Sequence, residues 1–327
     1  MKNKGIVLFL IVLAAIIVVM IVTDYRSERP GRSEANPYAL NIDEYKSVDP
    51  SLINYKEVRN LKIGFESPSA IDVYNENIYV AGDNRLGIIS LSGSLLAELS
   101  FPFQPLVLKV HGNRIFLAVK NQVFVSDEKG NILAEWQPLE EDSHITAIAA
   151  TEEYVFVADA GKRKIYRYTT DGELINEFDG KAEAGALHGF IIPSPCFDIQ
   201  INAYNELWVT NPGLHSLENY SFDGKLRRHW KRSGINNEGF SGCCNPAHFT
   251  FLSDGRFATS EKGLVRIKTY RESGEFEGVV AAPVKFADEG QAPDVAADKE
   301  NNIYALDFDK KMIRVFSPVV MTGSGIN

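Results

Sequence analysis

The stretch GFSGCCNPAHF, residues 239–249, places Cys243 and Cys244 side by side, with His248 four residues beyond the second of them. The chain has three cysteines in all, and the third, Cys196, lies 47 residues before Cys243. Thiolates and imidazoles are the side chains that bind soft metals or act as nucleophiles and bases, so a loop rich in both invites a chemical reading. Three readings fit these residue types. A Cys243–Cys244 disulfide would join α-carbons about 3.8 Å apart, below the usual disulfide range, and would be strained and easily reduced. A soft transition metal could be held by Cys196, Cys243, Cys244 and a histidine, either His248 or His215, although adjacent cysteines chelate less well than a Cys-x-x-Cys pair. Finally, the thiols could be small apolar residues packed beneath a loop.

Other chemistry-bearing residues fall nearby. Asn245 follows the thiol pair directly. EKGLVRIKTY, residues 261–270, alternates Val265 and Ile267 with Arg266 and Lys268, which puts the two cations on one face of a strand. A salt-bridged strand pair accounts for that pattern, and an anion-binding patch is the alternative. Two long glycine-containing stretches, GKAEAGALHGFIIPSP (180–195) and KRSGINNEGFSGCCNP (231–246), bring in His188, Asn236 and Glu238. Connections of that length in a compact domain are more often functional than accidental. The sequence holds no nucleophile elbow, no His-Glu-x-x-His and no phosphate loop.

The elements that must position these residues come in repeats. APDVAADKENNIYALDFDKKMIRVFSP, residues 292–318, reads as three short alternating apolar runs separated by Asn and Asp-Lys turns, hence three strands joined by hairpins. The same unit begins at Ser67, Ile145 and Pro195, and weaker copies begin near Pro105 and Pro246. Central strands are expected at Ile78, Ile115, Val155, Leu207, Phe257 and Ile303, with steps of 37, 40, 52, 50 and 46 residues. Such steps suit four-stranded propeller blades, and helix-period signals are absent from this region. The last copy ends after its third strand, while YKEVRNLKIGF (55–65) precedes the first copy without partners of its own. If that segment is the fourth strand of the last blade, the ring closes without exposed edges. The expectation is an all-β, six-bladed β-propeller.

The recurring Pro-x-x-(Ile/Val), (Ile/Leu)-(Tyr/Trp)-Val-x-(Asp/Asn) and (Tyr/Phe)-x-x-(Asp/Ser)-Gly elements resemble the NHL-repeat family of six-bladed propellers, over nearly the whole chain from about residue 55. The resemblance implies the fold far more than a function, since that architecture hosts binders and enzymes alike. It also implies that the loops entering the first strands form a rim around the central channel. Aligning the copies on Pro68, Pro195, Pro246 and Pro293 puts Ser69, Cys196, Cys243, Cys244, Asn245 and Asp294 on that rim. Lactonase-like propellers hold a divalent cation in the channel with acidic and amide side chains. Asp72, Asp198, Asp294 and Asn245 approximate such a set, but without acidic residues aligned across enough blades.

Residues 6–22, IVLFLIVLAAIIVVMIV, are seventeen unbroken apolar residues after Lys2 and Lys4, which reads as an uncleaved signal-anchor with the following region exported. The expected organisation is a cytoplasmic stub at 1–5, a transmembrane helix at 6–23, a flexible tether at 24–45 and the propeller at 46–327. A net charge of −9 argues against a nucleic-acid partner. The one basic cluster, KLRRHWKR at 225–232, suits a charged outer strand. The function expected is a membrane-tethered extracytoplasmic propeller that binds a protein or small ligand at the rim of blades four and five, as an accessory subunit of a membrane complex. The alternative is a metal- or thiol-dependent enzyme or redox protein using Cys196, Cys243 and Cys244.

Overall fold

Runs rich in Val, Ile, Tyr and Phe become strands here because their branched and aromatic side chains pack well on a pleated surface. A computed structural model describes residues 3–26, 42–181 and 188–319. Its strands form six four-stranded antiparallel sheets, each built from consecutive strands except the last. Blade one runs Pro68–Tyr74, Asn77–Gly82, Arg85–Ser90 and Leu95–Ser100. Blade four runs Ile199–Ile201, Leu207–Asn211, Ser216–Tyr220 and Leu226–Lys231, and blade five runs His248–Phe251, Phe257–Glu261, Arg266–Tyr270 and Phe276–Ala281. The expected central strands are all present, and in blades four, five and six (Ile303–Asp307) every residue of that strand is buried. The basic segment forms the outermost strand of blade four, where Arg228 pairs with Glu206 at 2.6 Å and Glu272 at 2.5 Å.

The repeated (Asp/Ser)-Gly element has a packing reason. Gly172, Gly224 and Gly274 turn at φ of 91°, 83° and 80°, a region that favours glycine. A Cβ on them would lie 2.6, 2.4 and 2.5 Å from Trp136, Phe178 and Trp230. In blades three to five the hairpin glycine thus lies against an aromatic from the end of the preceding blade, while in blades one and two Gly93 and Gly130 lie against Leu61 and Leu99.

The ring closes as the unpartnered segment suggested. Tyr55–Lys62 pairs antiparallel with Met312–Pro318, from Tyr55 opposite Pro318 to Lys62 opposite Met312. Arg314, 3 % exposed, holds Glu57 at 2.9 Å across this seam. Burial alone would raise the Glu57 carboxyl, but Arg314 and Lys285 outweigh it and bring it down to about 2.

The N-terminal helix spans Asn3–Arg26, and the compact unit that holds the propeller includes residues from Asp43 onward. Lys46 pairs there with Asp43 at 2.8 Å and Asp288 at 2.9 Å, and Val48 packs on Val279 and Ala282. Most of the expected tether, residues 27–41, lies outside the described residues. Among the described residues, no helix is long and apolar enough to cross a membrane.

Deleting residues 1–65 should strip the last blade of its closing strand and expose an unpaired edge, giving aggregation and loss of a cooperative thermal transition. Deleting residues 1–42 should leave a soluble, cooperatively unfolding domain. Equal behaviour of the two truncations in calorimetry and size-exclusion chromatography would contradict closure by this strand.

Candidate functional site

The first strand of each blade lines the central channel, and its side chains decide what the channel can do. Register sets which residues share a level. Asp198, His248 and Asp294 lie opposite Thr210, Ser260 and Leu306, in each case the fourth residue of the blade's central strand. Blades four, five and six therefore present Asp, His and Asp at one height. His248 Nδ1 lies 3.7 Å from Asp294 Oδ1 and 4.0 Å from Asp198 Oδ2.

Both carboxylates are also structural. Asp198 accepts the amides of Ile199 and, in blade five, Phe249, at 2.8 and 2.9 Å. Asp294 accepts those of Val295 and, in blade one, Ile71, both at 2.9 Å. Asp72 repeats the pattern with Val73 and, in blade two, Val110, and its Oδ1 lies 3.1 Å from Lys109 Nζ. Thr146 and Ser260 tie blade three to four and blade five to six through the carbonyls of Phe197 and Pro293. Each acid thus fastens its blade to the next while facing the channel.

Burial shifts these groups. Asp198 is pushed well above the ordinary carboxylate range, first by burial and then by the charge of Asp294, against the pull of its two amide donors. Asp294 is raised by burial, with His248 and its own amide donors opposing. A cavity of about 520 Å³ opens beside them, lined by all six blades and including Lys109, Cys196, Gln200 and Lys262. That size is in the range of small-molecule sites.

The thiol loop lies beside this cavity. Cys243 is exposed and Cys244 buried; both are free thiols, with sulfurs 3.0 Å apart. Neither lines the cavity, but Lys262 does, and it hydrogen-bonds both Cys244 and, at 2.8 Å, Ser194 Oγ on the blade-four connection.

Several residues read as ligand contacts have a different task. Arg266 and Lys268 are not an anion-binding patch: both are fully buried, bonded to the equally buried Glu261 at 2.8 and 2.6 Å. Their remaining donors hold the Gly239 carbonyl, at 2.9 Å from Arg266 and 2.6 Å from Lys268. The salt-bridged reading of this strand is the correct one. Burial would raise the Glu261 carboxyl, but Lys268 and Arg266 outweigh it and lower it, while burial lowers Lys268 to about 7. Glu261 also accepts the Ser241 amide at 3.0 Å. Asn245 is buried and spends its amide on Ser241 O, Lys262 O and the Lys262 amide. His215 bonds Ser233 Oγ at 2.9 Å and Gly242 O at 2.6 Å, outside the cavity. Asn236 caps the same loop by accepting the Gly239 amide. In the other long connection, residues 182–187 lie outside the described residues, and His188 borders a separate small cavity on blade four.

Nor do Cys196, Cys243, Cys244 and His248 form a metal-ligand set: among the described residues no three His, Cys, Asp or Glu side chains are grouped to hold an ion. Aligning the repeats on proline misplaced the level. Pro195, Pro246 and Pro293 stand three, two and one residues before the channel positions Asp198, His248 and Asp294, and blade one has a register shift between Pro68 and Ala70. That offset hid the Asp-His-Asp alignment. Lys109 and Gln200 were missed as well, whereas Lys262 belongs to the charged hairpin 261–270 singled out from the sequence. Lys109 left one trace, a cation within the apolar run VLKVH.

Comparison with known proteins supports the fold. No protein-family model matches this chain, so membership of the NHL-repeat family is not established, and no curated protein matches it. Among solved structures, a streptogramin B lyase superposes with a TM-score of 0.57 at 14% identity, covering 83% of this chain and 100% of the other. The virginiamycin B lyase of Staphylococcus aureus superposes at 0.52 with 17% identity, covering 82% and 90%. A protein of unknown function from Bacteroides thetaiotaomicron gives 0.57 with 13% identity, covering 81% and 75%. At such identities the likeness is one of fold.

The raised Asp198 carboxyl binds its proton more tightly folded than unfolded. Its contribution to stability therefore falls as pH rises from the usual aspartate value of 3.8 towards the raised one, and is level above it. The difference in unfolding free energy between wild type and Asp198→Asn, followed by denaturant titration across that window, should shift towards the variant as pH rises. A pH-independent difference would contradict the assignment.

Proposed function

We propose that this chain is a membrane-tethered, extracytoplasmic propeller that binds a small molecule in its channel mouth, as an accessory subunit of a membrane complex. The observation that carries the binding reading is the convergence of Asp198, His248 and Asp294 at one height, beside a cavity of about 520 Å³. Apolar walls from Ile71, Ile148 and Val295 would take the body of the ligand, and the acids, His248 and Lys262 its polar groups. The ligand's natural partner groups are hydrogen-bond donors, since two acids share one end of the site with a single imidazole. The site borders blades four and five but reaches further round the ring than the rim expected from sequence.

Tethering rests on the N-terminal run. Its seventeen apolar residues include no polar face, and Ile6, Phe9, Leu10, Ile11 and Val18 are each at least 55 % exposed.

The test uses membranes from cells making the full chain. The protein should resist alkaline extraction, and the detergent-solubilised chain should be stabilised thermally by members of a polar small-molecule collection. His248→Ala should lose that response while unfolding as cooperatively as wild type. Release into the alkaline wash would remove the tether, and molecules stabilising both forms equally would remove the channel site.

A further inference from the structure

The thiol pair carries a chemistry that the channel reading does not use. Thiols that merely fill space would both sit among apolar side chains. Here Cys243 is exposed, and Cys244 contacts an ammonium group, Lys262, and a hydroxyl, Ser194. The loop bearing them is held at Gly239 by Arg266 and Lys268, at Ser241 by Glu261 and Asn245, and at Gly242 by His215. Two sulfurs 3.0 Å apart on so fixed a backbone are arranged for reaction with each other.

We propose that Cys243 and Cys244 form a thiol–disulfide exchange site whose substrate is a low-molecular-weight disulfide. Access gives the order of events. Cys243 is the sulfur that an incoming disulfide can reach, and Cys244, 3 % exposed behind it, is the resolving thiol. The negative charge of the pair rests on Cys244, which makes it the base that takes the Cys243 proton as Cys243 attacks. Burial would raise the Cys244 thiol, but hydrogen bonds with Cys243 and Ser194 and the charge of Lys262 outweigh it and lower it. Cys243 is raised, chiefly by its hydrogen bond with Cys244.

In the reactive form the pair shares one proton, Cys243 as thiol and Cys244 as thiolate. The Cys243 sulfur attacks one sulfur of the disulfide as its proton passes to Cys244; a Cys243–S bond forms, the substrate's S–S bond breaks, and the first thiolate leaves with the proton from Cys244. Cys244 thiolate then attacks Cys243 Sγ, forming the Cys243–Cys244 bond and expelling the second thiolate. The two cysteines lose two electrons, and the substrate disulfide gains them to become one thiol and one thiolate, the latter taking its proton from solvent. Adjacent cysteines make a strained ring, so the product accepts electrons back readily and the exchange runs both ways.

Oxidised glutathione is the probe, added to the reduced, solubilised full chain and followed by peptide mass spectrometry and glutathione release. Wild type and Cys196→Ser should release two glutathiones per chain and end with an internal Cys243–Cys244 bond. Cys244→Ser should release one and keep the other on Cys243, Cys243→Ser should stay unmodified at Cys244, and Lys262→Met should slow release of the second. Intrinsic tryptophan fluorescence establishes that each variant is folded. A wild-type pair that stays reduced, or keeps glutathione on Cys243 without resolving it, would overturn the proposal, as would reaction confined to Cys196. None of these readouts involves the channel ligand, so the two readings stand or fall separately.

Discussion

A single carboxylate, Glu261, organises the side of the ring where the chemistry gathers. It is fully buried at the end of the central strand of blade five, between Arg266 and Lys268, which are just as buried. A buried charge is tolerated when it is paired and hydrogen-bonded, and removing one partner of such a group costs about 3–5 kcal/mol. Glu261 satisfies its remaining capacity with the Ser241 amide, and its two cations satisfy theirs with Gly239 O. The cluster therefore needs the loop as much as the loop needs the cluster. A long irregular connection becomes a fixed platform, and the thiols at its tip are held beside Lys262.

The channel follows the same logic of double use. Asp72, Asp198 and Asp294 each accept an amide from the next blade, so the groups that could meet a ligand are those that hold blades together. Closure by Tyr55–Lys62 matters to the site for this reason. It completes blade six, whose Asp294 bonds blade one at Ile71 and faces His248 of blade five. The acids cannot relax away from one another without opening a blade interface, and burial then holds Asp198 above the ordinary range.

The ring, its blade count and its closing strand were legible because they rest on local signals: two-residue periodicity, recurring turn glycines, and an orphan strand before the first copy matched by a missing strand in the last. The site was legible in part. Cys243, Cys244, Asn245, His215, Arg266 and Lys268 do gather around one loop, but residue types could not separate the groups that support a loop from those it presents. Burial decides that, and around Lys268 it involves the ring of Phe240, 28 residues away in sequence, as well as that of Tyr270 on the same strand. The Asp-His-Asp level was lost for a different reason. Strand register, not the preceding proline, sets height in the channel, and the proline offset varies from blade to blade.

Native-state hydrogen exchange at the Ser241 amide tests the preorganised platform most directly. Ser241 lies in no strand and donates to Glu261 at 3.0 Å. If the buried charge cluster fixes the loop, this amide exchanges as slowly as those of the adjoining strand Phe257–Glu261, through the same cooperative opening. Exchange at the rate of an exposed loop would mean that the thiols are not held in place and that Glu261 does not organise this side of the ring.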